Sequence, residues 1–287
     1  MPDIAFINDV FMPLSEARVS VEDRGFQFGD GVYELIRAYA GRPFCLTEHL
    51  DRLEQSARAV AIPVPYTRER WTALVAEAIS RSRYPAAKVY IQITRGVAPR
   101  DHVLASHVPP TVVITVRDLV PLDPVFYAKG VDIVTVPDLR WARCNVKSVS
   151  LLANVLAKQQ AREKGAFEAL FVRDGYVLEG ATSNVAVVRD RVVITPPEGP
   201  LLLSGVTRKV MLAVAQQAGV AVKEEPVTEA DLYTADELLL TGTTIEVLPV
   251  ARVNGRPIGA GAPGPVTRLV MDRFRRPRLV SPLLSQG

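Results

Sequence analysis

Apolar positions in the first third of the chain recur at two different periods. From Thr47 onward, Leu50, Leu53, Ala57 and Val60 fall near the helical repeat, which predicts an amphipathic helix capped by Thr47 and ended by Pro63 and Pro65. Thr67 opens a second helix with Trp71, Leu74, Val75, Ala78 and Ile79 on one face. Ala87–Thr94 alternates instead, setting Val89, Ile91 and Ile93 against Tyr90, Gln92 and Thr94, the pattern of a half-buried strand. Thr111–Val116 is a short apolar run of strand type. Pro121, Asp123 and Pro124 then read as a linker. The expected division is a small N-terminal α/β domain over 1–120, a linker over 121–124 and a large C-terminal domain over 125–287. In the second half, strands are predicted near 132–136, 168–173, 176–179, 184–188 and 191–194. Helices are predicted near 149–164 (stopped by Gly165), 207–218 and 265–276. Strands and helices interleave without regular βαβ units. That favours a two-domain α/β or α+β protein over a single doubly wound sheet.

Composition narrows the function classes. At 287 residues and 48% apolar, the chain can bury a substantial core. A net charge of +3, from 34 basic and 31 acidic residues, argues for neither a nucleic-acid nor a membrane partner. The basic cluster Arg273, Arg275, Arg276 and Arg278 reads as a solvated helix end, where cations suit the helix dipole. No apolar run approaches the roughly 18 residues that span a bilayer. Asp3 lies within the first residues and no basic patch precedes an apolar core, so a secretory signal is not expected. Cys45 and Cys144 form no metal or redox spacing, and His49, His102 and His107 form no zinc spacing. A cytoplasmic protein without a metal site is expected.

The candidate chemistry centres on Lys147, in Arg140-Trp-Ala-Arg-Cys-Asn-Val-Lys147-Ser-Val-Ser-Leu-Leu152, with no acidic residue close in sequence. A poorly solvated lysine amine is a nucleophile, the state that Schiff-base enzymes need. Equally, a lysine at a helix start can simply snorkel to solvent. Three other stretches suit a phosphate. Gly205-Val206-Thr207 precedes the helix predicted from Arg208. Thr241-Gly242-Thr243-Thr244 follows the apolar run Leu238–Leu240 and forms a hydroxyl-rich turn. Arg52 carries a guanidinium able to bind two phosphate oxygens. Nucleotide motifs fit poorly, because Gly29-Asp30-Gly31 lacks a third glycine and no Gly-Lys-Ser/Thr loop is present. There is no Gly-x-Ser-x-Gly nucleophile elbow either. A lysine amine with scattered phosphate-binding turns points to pyridoxal phosphate.

Six stretches carry a family resemblance: Glu22–Glu34, Glu48–Leu53, Thr94–His102, Arg140–Leu152, Leu178–Asn184 and Ser204–Arg208. In that order they resemble the fold-type IV pyridoxal-phosphate enzymes, and within them the D-amino acid aminotransferases (D-alanine transaminases). The resemblance implies that the domain over 125–287 binds the cofactor, that Lys147 bonds to it and that Glu179 partners its pyridine nitrogen. Arg52, Val206, Thr207 and Thr243 carry over as phosphate-site residues, and Leu203 as packing against the ring. Tyr33, Arg100 and His102 carry over to the substrate side. The loop bearing Arg100 and His102 is implied to reach a neighbouring subunit's site, hence a homodimer. Two positions depart from the family pattern: Asn145 stands where aspartate is usual, and Gly242 where serine is common, which loosens one phosphate contact.

The implied reaction moves an amino group between D-amino acids such as D-alanine or D-glutamate and 2-oxo acids such as pyruvate or 2-oxoglutarate. A branched-chain L-amino acid aminotransferase, an (R)-amine transaminase or an aminodeoxychorismate lyase would share fold and cofactor. Pro99-Arg100-Asp101-His102 favours the first reading, because its cation and imidazole suit a substrate carboxylate. A catalytically silent regulatory protein is the third reading; the presence of Lys147 and Glu179 argues against it.

Overall fold

The computed structural model describes residues 3–104 and 107–275. Arg276 and Arg278 lie outside the described residues. The chain forms two compact units. The first comprises Met1–Val120 together with Val146–Leu151, and the second comprises Pro121–Asn145 with Leu152–Gly287.

The first unit is built on strands β1 (Ile4–Ile7), β2 (Val10–Pro13), β3 (Gly31–Tyr39), β4 (Arg42–Pro43), β5 (Ala86–Thr94) and β6 (Thr111–Asp118). They form a six-stranded sheet in the order β2-β1-β6-β5-β3-β4, all pairs antiparallel. Helices α1 (Arg24–Phe28), α2 (Leu46–Ala59) and α3 (Arg68–Ser82) belong to the same unit. Val32, Ile36, Val89 and Ile91 of the sheet join Leu50 and Leu53 of α2 and Trp71, Leu74 and Val75 of α3 in one apolar core. The alternation expected for β5 is present, except that Thr94 is buried and donates to Asp23 Oδ2 at 2.9 Å. Thr67 caps α3 by accepting from Arg70 N. Thr47 does not cap α2. That helix starts at Leu46, and its cap position is Cys45, held in the left-handed region at φ 52° without a side-chain cap bond. Its end precedes the prolines: Val60 closes it and Ala61 turns the chain at φ 53°.

The second unit contains α4 (Pro124–Lys129), β7 (Val131–Pro137), α5 (Leu152–Glu163), β8 (Glu168–Arg173), β9 (Tyr176–Gly180), β10 (Asn184–Arg189) and β11 (Val192–Thr195). It continues with α6 (Val206–Gln217), β12 (Val222–Glu224), β13 (Val227–Thr228), α7 (Glu229–Thr234), β14 (Glu237–Gly242), β15 (Glu246–Val253), β16 (Arg256–Pro257) and α8 (Pro265–Arg275). A ten-stranded mixed sheet runs β12-β11-β10-β14-β15-β7-β8-β9-β13, with β16 beside β15. Its central strands β10 and β14 are buried at almost every position, as strands covered on both faces require.

The division differs from a linear cut in one segment. Residues 146–151 belong with the first unit although the flanking residues belong to the second. The helix expected near 149–164 begins only at Leu152. The preceding stretch is extended because it pairs with β3: Tyr33 N donates to Lys147 O at 2.9 Å, Val149 N donates to Gly31 O at 3.0 Å, and Val32 bridges Ser148. Among the described residues, no helix is long and apolar enough to cross a membrane.

Candidate active site

In the first unit, Lys147 is fixed through its backbone on both sides. Its amide donates to the buried Ser56 Oγ at 3.1 Å, and its carbonyl accepts from Tyr33 N at 2.9 Å. Its Nζ lies 4.4 Å from the Tyr33 ring centroid, a cation–π distance, and the side chain is half-buried. Tyr33 stacks on Tyr90 at 5.5 Å. Burial, with Tyr33 adding to it, pushes the Tyr90 phenol up to about 12.

Behind Tyr33 is a charge cluster that the sequence reading missed. Even positions of β3 point into the core, and Glu34 is one of them, fully buried. Arg52 Nε and Nη2 donate to its two carboxylate oxygens at 2.7 and 2.9 Å, and His49 Nδ1 lies 2.7 Å from Oε2. His49, Arg52 and Ser56 follow one another along the buried face of α2 at helical spacing. The signal was present in the sequence: a glutamate in an apolar alternation must find a cation. The Nε and Nη2 edge of the Arg52 guanidinium is thus matched to a carboxylate.

This cluster has a pH signature. Burial tends to raise Glu34, but Arg52 and His49 outweigh it and hold the carboxyl below its ordinary range. Burial lowers His49 from its ordinary 6.5, with Arg52 and Lys147 adding to that against the pull of Glu34. Both shifts mean that the unfolded chain binds more protons than the folded one as pH falls. For His49 the stability is present above 6.5 and declines below it. The contribution of Glu34 goes at lower pH still. Stability is expected to fall between pH 7 and 5, by at most about 1.4 kcal/mol per pH unit for one proton, and the thermal midpoint with it. Replacing His49 with Asn is expected to flatten that slope; an unaltered slope in calorimetry would contradict the assignment.

Arg100 and His102 lie on the loop after β5 and are exposed. Both pack against Phe28, with the Arg100 guanidinium 4.5 Å and the His102 ring 5.4 Å from its centroid.

In the second unit, Glu179 is 6% exposed, not the solvated strand-end glutamate its flanking residues alone suggest. It is ion-paired with Arg140, accepts Leu203 N at 3.0 Å and accepts Asn184 Nδ2 at 3.2 Å. Arg140 is held in turn by Asp138, at 2.9 Å from Nε. Burial tends to lower the Arg140 guanidinium, but Asp138 and Glu179 outweigh it and raise it above its ordinary value. Glu168, fully buried, accepts from Thr182 Oγ1 at 2.6 Å and Ser183 Oγ at 3.1 Å, fixing the turn between Glu179 and Asn184. Arg140, Asp138 and Asn184 escaped the sequence reading as site residues, although Arg140 and Asn184 bound two of its matching stretches.

Asn184 connects this carboxylate to a place for an anion. It also donates to Leu203 O at 2.9 Å and lies opposite Thr241 across β10 and β14. A Cβ on Gly205 would sit 1.9 Å from Asn184 Oδ1, so any side chain there would displace Asn184. Gly205 is the cap position of the 12-residue α6 and, having no side chain, makes no cap bond to its first-turn amides. Val206 and Thr207 form that first turn and are buried. Thr243 is half-buried in the turn after β14, where Ile245 N donates to Gly242 O. Thr241 Oγ1 is buried without a hydrogen-bond partner. A helix start with a glycine cap and, opposite Asn184, a buried hydroxyl without a partner each suit a phosphate. Among the described residues, no group of His, Cys, Asp or Glu is placed to hold a metal ion.

The sequence pattern of the amino-transferase class IV family matches residues 31–253. D-alanine aminotransferase from Bacillus licheniformis is 41% identical over 268 residues, covering 93% of this chain and 94% of that protein. D-alanine aminotransferase from Staphylococcus haemolyticus is 40% identical over 273 residues, covering 94% and 96%. Among solved structures, the branched-chain amino acid aminotransferase of Escherichia coli superposes with a TM-score of 0.88 at 26% identity, covering 96% of this chain and 94% of that one. The T.th. branched-chain amino acid aminotransferase, solved with pyridoxamine 5'-phosphate, gives 0.87 at 30% identity, covering 96% and 94%.

Proposed function

Because the chain belongs to the class IV aminotransferases, we propose that it transfers amino groups between D-amino acids and 2-oxo acids using pyridoxal phosphate. The observation that carries the substrate assignment is the 41% identity to a D-alanine aminotransferase over 93% of the chain, together with Arg100 and His102 side by side on Phe28. When bound, the cofactor supplies an electrophilic carbon for amines and a ring that takes up the electrons released at the substrate Cα. Lys147 would hold it through Nζ, and the same amine would move the proton at the substrate Cα. Glu179 holds the pyridine nitrogen's proton, with Arg140, Asn184 and the Leu203 amide orienting its carboxylate. Val206, Thr207 and Thr243 take the phosphate. Arg52 is a further phosphate-site residue, its guanidinium oriented by Glu34. Leu203 packs against the ring. Tyr33 lines the substrate side, and Arg100 with His102 binds the α-carboxylate.

Truncating one partner of a desolvated charge pair costs on the order of 2–5 kcal/mol. Arg100→Ala is therefore expected to lower kcat/KM for D-alanine by roughly thirtyfold to several thousandfold. An amine without a carboxylate should be affected far less, and equal losses for both would remove Arg100 from this role. A branched-chain L-amino acid specificity is the second reading, favoured by the fold match to those enzymes. Turnover of D-alanine and D-glutamate against L-leucine and L-valine, each with a keto-acid acceptor, separates the two. Faster L-substrates would move the protein to the branched-chain class.

A homodimer with shared sites completes the proposal. Leu152, Val155 and Leu156 form an exposed apolar stripe on α5, and Phe26, Val103 and Leu104 are exposed in the first unit. Apolar surface of that kind suits a subunit contact. Mixing inactive Lys147→Ala with inactive Arg100→Ala subunits is expected to restore activity, since one site of each heterodimer regains both residues. No recovery despite demonstrated subunit exchange would place each site within one chain. Two free, buried cysteines, Cys45 and Cys144, fit a reducing cytoplasmic setting.

A further inference from the structure

We propose that Arg24 is a positioning residue for substrate specificity: its buried guanidinium fixes the backbone between Arg100 and His102 and so sets where those side chains meet a carboxylate. The inference rests on the reading that Arg100 and His102 bind the substrate carboxylate. Arg24 is 3% exposed, and no step of the proposed reaction uses it. One edge of its guanidinium is tied to the body of the unit and another to the loop. Nε donates to Asp30 Oδ2 at 2.9 Å, while Nη1 donates to Asp101 O at 2.5 Å and reaches Val103 O at 3.5 Å. Asp101 is the residue between Arg100 and His102.

The anchor on the other side is firm. Asp30 also accepts from Arg95 Nε at 2.7 Å and Nη2 at 3.0 Å. Arg95 in turn donates to the carbonyls of Val60 and Ala61, each at 2.7 Å, just after α2. The loop's first residues are held by backbone bonds, Arg24 N to Gly96 O at 2.9 Å and Ala98 N to Glu22 O at 3.2 Å. Farther along, the Arg24 side chain takes over. Arg24 also lies 4.8 Å from the centroid of Phe28, the ring that carries Arg100 and His102. Carboxylate, loop carbonyl and ring are thus all served by one planar fork. A lysine at position 24 keeps the charge but, as a point charge on a flexible stem, cannot reproduce that geometry.

By contrast, the carboxylate-binding side chains have little support of their own. The Arg100 side-chain bond to Gln27 O, at 3.4 Å, is at the limit of hydrogen bonding. Their placement therefore depends on the backbone that Arg24 holds, and a small displacement of a binding group far outweighs the loss of the contact itself.

The test compares Arg24→Lys, Arg24→Gln and Arg100→Ala holoenzymes with the unsubstituted one, using D-alanine and ethylamine (alanine without its carboxylate) as donors. Arg24→Lys is expected to raise KM for D-alanine about tenfold, the scale of one charge-assisted hydrogen bond, with a smaller change in kcat. The D-alanine to ethylamine ratio of kcat/KM should fall with it. Amide exchange at Ala98 and Val103 should accelerate, a readout independent of turnover. Arg24→Gln, which keeps a donor of similar reach but loses the planar fork, should shift the same ratio in the same direction and decides the matter if Arg24→Lys does not fold. If Arg100→Ala lowers the ratio but neither Arg24→Lys nor Arg24→Gln does, this inference alone is overturned. If Arg100→Ala leaves the ratio unchanged, the carboxylate reading falls and this inference with it.

Discussion

Lys147→Ala protein is expected to lose turnover by at least about four orders of magnitude, because one side chain supplies both the covalent hold on the cofactor and the moving proton. A positioned general base alone contributes about 10²–10⁴-fold, and the nucleophile's share is lost with it. The backbone geometry makes this substitution unusually clean. The Lys147 amide is bound to Ser56 and its carbonyl to Tyr33, so alanine keeps the segment in place while removing only the amine. The fold should survive, with the Tyr33–Tyr90 stack intact. Borohydride treatment of the unsubstituted, yellow protein should fix the cofactor to the peptide containing residue 147. Label on another lysine, or full activity in Lys147→Ala, would contradict the assignment.

Glu179→Gln is expected to have the second largest effect. The Arg140 guanidinium, the Asn184 amide and the Leu203 N–H each donate to the Glu179 carboxylate. A glutamine offers one acceptor oxygen and turns its NH₂ toward one of these donors, which leaves a buried polar group unmatched. Removing a charged partner from a buried pair costs about 3–5 kcal/mol. Part of that should appear in the chemical barrier, because a neutral amide holds the pyridinium proton less well than a carboxylate. Cofactor colour should persist while the single-turnover rate with D-alanine falls at least about tenfold. An unchanged single-turnover rate would show that Glu179 does not partner the ring.

Local patterning carried most of the secondary structure. The α3 face from Trp71 to Ile79 and the β5 alternation followed from period alone, because each element buries one face against a single core. What escaped was non-local. The segment around Lys147 looks like a helix start by composition, yet it is extended because β3, more than a hundred residues earlier, offers it backbone partners. Thr47 is a good cap by residue type, but Cys45 in the left-handed region sets the helix start two residues earlier. At the site, residue roles came from six matching stretches, whereas the groups supporting them did not. Arg140, Asn184, Glu34 and Arg24 act through partners distant in sequence, and a charged residue in a motif does not announce which opposite charge will bury it. Glu34 was the exception that patterning could have exposed, since its neighbours at every second position are all core residues.

The central claim, that this chain is a D-amino acid aminotransferase, is tested most directly by supplying D-alanine and L-leucine together with 2-oxoglutarate and determining which oxo acid and which enantiomer of glutamate form. The account predicts pyruvate and D-glutamate. The branched-chain oxo acid with L-glutamate would contradict it.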